Sequence, residues 1–78
     1  MPRFYLDLVE DGVCLADKDG MMADELVEAE VEASFTVAEM MTDPIRYQSL
    51  RDLEIVIRDA DRTTVSRVSV SVRREKLN

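Results

Sequence analysis

Two periodicities share this chain, and their order constrains its fold more than any other feature. From about Asp24 to Met41 the apolar residues recur at helical spacing. At about 100° per residue, Leu26, Ala29, Ala33, Val37 and Met40 fall on one face. On both sides of that segment the apolar residues alternate one in two, the period of a strand with one buried face. Phe4, Leu6 and Leu8 alternate with Tyr5, Asp7 and Val9 over residues 3–9. Leu53, Ile55 and Ile57 alternate with Glu54, Val56 and Arg58 over residues 52–58. Val68, Val70 and Val72 alternate with Ser69 and Ser71 within a last strand over residues 64–73.

Turn chemistry separates these segments. Glu10-Asp11-Gly12 predicts a hairpin, because Asp-Gly adopts the left-handed geometry that a tight turn needs. Val13-Cys14-Leu15 then reads as a short second strand. Asp17-Lys18-Asp19-Gly20 predicts another turn, with positive φ at Gly20. Asp59-Ala60-Asp61-Arg62 predicts a turn without glycine, its strained angle on Ala60 or Asp61. Val65 is out of phase with the later valines, which predicts a bulge or register break between Val65 and Val68.

Asp24 is the predicted N-cap of the helix, with glutamates in the first turns where the dipole favours them. Glu25, Glu28, Glu32 and Glu39 cluster away from the apolar face. Val31 and Phe35 widen the apolar arc on its flank, and Glu30 inside that arc is a local contradiction. Pro44 disfavours helical backbone at Asp43, so the helix ends near Thr42. Residues 44–51 read as a connecting loop that tucks Ile45, Tyr47 and Leu50 against the body. The tail from Arg73 to Asn78 reads as solvated.

Two hairpins, each apolar on one face, need a cover, and the helix carries a matching stripe. The expected fold is α+β. It has a four-stranded antiparallel sheet, three strands long and one short, with one helix packed on one face in ββαββ order. A single domain spans residues 1–78, and its small core leaves a thin stability margin.

The opening Met-Pro-Arg-aromatic-Tyr of residues 1–5, the Asp17-x-x-Gly20 turn and the stretch Asp52–Asp59 carry a resemblance. Together they are similar to a family of short bacterial domains, common in rhizobia and related alphaproteobacteria, that has no assigned function. The likeness runs from the first strand through the last. This sequence departs from the pattern at the last hairpin, where the family usually has a glycine and here stands Asp61-Arg62. The motifs are structural, so the resemblance implies the fold and supplies no catalytic residue.

The residue inventory excludes several chemistries. The chain contains no histidine, which removes the commonest general base and the commonest transition-metal ligand. Cys14 is the one cysteine; it cannot form an internal disulfide and reads as a small buried residue with blunted reactivity. In an EF-hand frame ending its turn at Gly20, positions one and twelve would be Leu15 and Leu26, neither of which can ligate calcium. Gly12 and Gly20 stand too far apart for a phosphate-binding loop. The expectation is a non-enzyme with no cofactor and no metal.

Charge and hydropathy direct the remaining expectations. No apolar run approaches the roughly 20 residues of a membrane span, and Asp7 interrupts the N-terminal segment before a signal-type apolar region forms. Cytoplasmic retention is expected. Net charge is −7, with 12 acids and 2 bases in residues 1–43 (−10) and 5 acids and 8 bases in residues 44–78 (+3). Overall acidity disfavours nucleic acid, although Arg58, Arg62, Arg67, Arg73, Arg74 and Lys76 suggest a basic stripe along the last hairpin. The uncovered sheet face presents Tyr5, Val9, Val56 and Arg58 among Asp7, Glu54, Ser69 and Ser71. That mixture suits a protein contact, and the expectation is a self-associating interaction or structural module, a homodimer through this face or a sheet edge. The alternative is an acidic, antitoxin-like regulatory partner of a basic protein.

Overall fold

The computed structural model describes residues 2–49 and 52–78. Its elements in chain order are β1 (Arg3–Glu10), β2 (Val13–Leu15), β3 (Met21–Met22), α1 (Leu26–Met40), α2 (Pro44–Ser49), β4 (Asp52–Arg58) and β5 (Thr64–Ser71). All strand pairs are antiparallel, in the order β2-β1-β4-β5, with β3 also on β1. The α+β architecture and its order follow the two periodicities. The two-residue β3 adds a fifth strand to the four expected, pairing with Arg3 and Phe4 while β2 pairs with Leu8–Glu10.

The core forms where the two periods meet. Leu53, Ile55 and Ile57 of the interior strand β4 are buried, as are Phe4 and the helix residues Ala29, Ala33 and Val37. Ala29 and Ala33 are fully enclosed, and their small side chains let α1 lie close to the sheet. Leu6, Leu8, Leu26, Met40, Val68 and Val70 close the margins of this cluster. Burying one Leu or Ile side chain contributes about 1.5–3 kcal/mol, so the β4 triplet dominates the packing.

Helix α1 begins after Glu25 rather than Asp24, and Glu25 makes no side-chain cap. Glu28 reaches back instead and accepts the Asp24 backbone N–H at 2.8 Å, half of a capping box displaced by one residue. Glu30 is half-buried and accepts a hydrogen bond from the Ser66 hydroxyl of β5, which resolves the apparent contradiction of an acid inside the apolar arc. Val31 and Phe35 correct the expectation of a wider buried arc: both are exposed, Phe35 by 69%.

The connection after α1 is helical, not a loop. Pro44 occupies the first position of α2, where its missing N–H costs nothing, and Asp43 accepts the Ile45 N–H at 3.0 Å. Ile45 is exposed rather than tucked in, while Leu50 and the side chain of Tyr47 lie outside the described part.

Backbone geometry explains the turns. Asp11 (φ 48°) and Gly12 (φ 87°) make the expected left-handed pair between Glu10 and Val13. In the last hairpin the positive angle falls on Arg62 (φ 63°), not on Ala60 or Asp61. Asp59 fixes that turn by accepting the N–H groups of Asp61 and Thr63. The register shifts between Ile57, opposite Ser66, and Arg58, opposite Thr64, so Val65 is the bulged residue.

Gly20 has φ 72°, and an added Cβ would lie 2.8 Å from the Phe4 carbonyl oxygen. Nothing lies within 4 Å of the same position at Gly12. Gly12→Ala is expected to cost about 1 kcal/mol from backbone strain alone. Gly20→Ala adds a backbone clash and is expected to cost about 3 kcal/mol. Urea unfolding of the two variants measures both losses, and equal losses would contradict the close approach.

Candidate functional site

The sheet face away from α1 has no covering element among the described residues, and its composition is set by the strand period. Tyr5, Asp7 and Val9 of β1 lie opposite Arg58, Val56 and Glu54 of β4 on alternate rungs. Arg67 and Ser69 of β5 continue two of these rungs beyond Val56 and Glu54. The expected contact residues Tyr5, Val9, Val56 and Arg58 are therefore brought onto one surface.

That surface is partly covered by its own charged side chains. Arg58 lies over Asp7, with Nε 2.7 Å from Oδ2 and Nη2 donating to Oδ1 at 3.1 Å. The buried Nε is close enough for ion pairing but is not aligned to donate a hydrogen bond. Asp7 retains only 6% exposure, although the strand period alone puts it on the open face. Arg67 pairs with Glu54 at 2.8 Å, and the Arg62 guanidinium stacks 5.1 Å from the centre of the Tyr5 ring. All four expected contact residues are half-buried as a result. Arg58, Arg62 and Arg67 of the expected basic stripe are engaged by sheet residues, while Arg74 donates to the Gln48 carbonyl of α2.

Asp17 completes this polar arrangement. It sits where the chain leaves β2 and has not yet reached β3, beside a stretch of β1 that lacks a strand partner there. Its Oδ2 accepts the Leu6 N–H at 3.0 Å, and its Oδ1 accepts those of Asp19 and Gly20. Its own N–H donates to Asp7 Oδ1 at 2.9 Å. One carboxylate thus replaces a missing ladder bond and closes the turn. Partial burial pushes the Asp17 carboxyl upward, but the N–H groups of Gly20, Leu6 and Asp19, with the Arg58 charge, outweigh it and hold the group below the ordinary aspartate range. A turn with positive φ at Gly20 was legible in Asp17-Lys18-Asp19-Gly20; the reach of the Asp17 side chain to Leu6 and of its N–H to Asp7 was not, because it depends on the strand pairing.

The remaining candidates sit elsewhere. Cys14 is exposed on β2, correcting its expected burial, and lies opposite Val9. Its neighbours Val13 and Leu15 are exposed by 74% and 69%, because the β1–β2 hairpin extends beyond the cover of α1. Val27, Val31 and Phe35, four residues apart, form a second, exposed apolar stripe on α1. That stripe is visible as a spacing pattern, but only packing decides which of two stripes is buried. Among the described residues no group of three or more His, Cys, Asp or Glu side chains is arranged to hold a metal ion. No helix among them is long and apolar enough to cross a membrane.

A family model described as a domain of unknown function (DUF6894) matches residues 3–71. No curated protein and no solved structure is significantly similar to the chain.

Because the folded Asp17 carboxyl titrates below its unfolded counterpart, its charged form contributes stability above about pH 4. That contribution fades as pH falls through the lower folded value. Asp17→Asn is expected to lose about 1–3 kcal/mol at neutral pH, with the gap to the wild type narrowing in acid. Urea titrations at neutral and acidic pH measure the gap, and a gap independent of pH would contradict the role given to the charge.

Proposed function

The chain belongs to this family of unknown function, and from that premise we propose that it is a non-catalytic protein-interaction module that self-associates as a dimer. The observation that carries this reading is the distribution of apolar surface. Among the described residues eight apolar side chains are buried, while nine large ones stay exposed. A domain this small gains stability by oligomerisation when its own core is thin. The exposed residues are also grouped: Val13 and Leu15 on one hairpin, Val27, Val31 and Phe35 on one helix. Grouped apolar surface of this kind favours a protein contact over scattered exposure. Two surfaces are alternative candidates for the contact: the outer sheet face with Tyr5, Val9, Val56 and Arg58, or a free strand edge.

A cytoplasmic location accords with this role. Nucleic acid is disfavoured as a partner because Arg58, Arg62 and Arg67 are already engaged within the chain. The second reading, an antitoxin-like partner of a basic protein, draws on α1, which carries Glu28, Glu30, Glu32 and Glu39 and no basic residue. A toxin-like gene beside this one supports it, and an isolated gene counts against it.

Light scattering across micromolar concentrations is expected to report twice the 8.9 kDa chain mass. A single-chain mass throughout that range overturns self-association.

A further inference from the structure

Strand β5 closes the sheet at one end and is paired only with β4 among the described residues. It runs for eight residues, Thr64 to Ser71, with no proline, lysine or glycine. Such features normally guard an open edge against pairing; here the guards present are the bulge at Val65 and a single charge, Arg67, which is paired with Glu54. From Ser66 to Ser71 the pairing with β4 is regular, and no described residue pairs with the outer side of the strand.

We infer that two copies of this chain pair through β5, antiparallel about a twofold axis at Val68, joining their sheets with both α1 helices on one face. This rests on the self-association proposed above and names its interface. A twofold axis perpendicular to the sheet keeps inner residues opposite inner ones and outer residues opposite outer ones. The middle of β5 falls between Arg67 and Val68. Centring the axis on Arg67 sets two guanidinium groups against each other. Centring it on Val68 sets Val68 against itself, Arg67 against Ser69, Ser66 against Val70 and Val65 against Ser71. No like charges then oppose. Each Ser69 has Glu54 as its other cross-strand neighbour, so each Arg67 approaches a glutamate of the second copy as well as its own.

The helix supports the same partner by its charge distribution. The Glu30–Ser66 hydrogen bond identifies the flank of α1 that faces β5. At about 100° per residue, Ser34, Val27, Ala38 and Val31 follow Glu30 around that side, while Glu25, Glu28, Glu32 and Glu39 lie on the far side. Two acidic helices brought onto one face therefore present to the axis flanks whose one acid, Glu30, is bonded to Ser66, and keep their other acids apart. Val27 and Val31 on that side of α1 are exposed, as is Val65 of β5.

Ser69→Lys tests this inference without burdening the fold, because the new lysine faces Glu54 of its own chain. In the dimer it opposes Arg67 of the other copy twice, and the dissociation constant measured by sedimentation is expected to rise at least about tenfold. Val9→Lys, on the outer face and also beside Glu54, is expected to leave it unchanged. A Val68→Cys chain carrying Cys14→Ser is expected to form an interchain disulfide on mild oxidation, and the Ser71→Cys counterpart is not. Dissociation by Val9→Lys with Ser69→Lys neutral overturns the β5 interface and leaves self-association standing. Crosslinking through residue 71 instead of 68 overturns the register. A wild-type chain of single mass at every concentration overturns self-association itself.

Discussion

Leu53, Ile55 and Ile57, three alternate residues of one interior strand, are the anchor on which the other elements settle. β4 lies between β1 and β5, so its inner face meets α1 whichever way the margins move. The helix meets it with alanines at 29 and 33 and a valine at 37, residues small enough for a close approach. That closeness has a geometric consequence. A narrow seam of small residues buries one stripe of α1 completely and leaves the stripe of Val27, Val31 and Phe35 with nothing to pack against.

The opposite face of the sheet solves a different problem, since no element covers it. Its apolar residues are shielded by side chains that lie flat: Arg58 across Asp7, Arg67 against Glu54, Arg62 over Tyr5. A buried ion pair of this kind is weak evidence of net stability, because desolvation offsets much of the attraction. Its clearer effect is positional. Arg58 and Asp17 hold Asp7 from two sides, and Asp17 in turn secures Leu6, tying the irregular chain between β2 and β3 to the sheet.

These two faces leave different kinds of surface for partners. The outer face is polar and internally matched, so a partner there must displace or join existing pairs. The helix crest and the β5 edge carry unmet apolar and backbone groups that no internal contact satisfies among the described residues. The molecule measures 53 × 20 × 18 Å, elongated for a chain of its mass.

Much of this was legible in the residues alone. The alternation at Leu53, Ile55 and Ile57, the helical recurrence from Leu26 to Met40, and the turns at Asp11-Gly12 and Gly20 depend on local geometry, and the chain determined them. The bulge near Val65 was foreshadowed by a break in phase. Tertiary structure decided what depends on which surfaces meet. Val31 and Phe35 became exposed because the alanine seam admitted only one stripe, and Cys14 because its hairpin runs past the helix. The left-handed angle fell on Arg62, since the Asp59 side chain had already fixed the residues before it. Asp7 was buried by an arginine 51 residues away. Periodicity records the tendency of each residue to face one way or the other, whereas the depth of burial depends on a partner surface that no single segment contains.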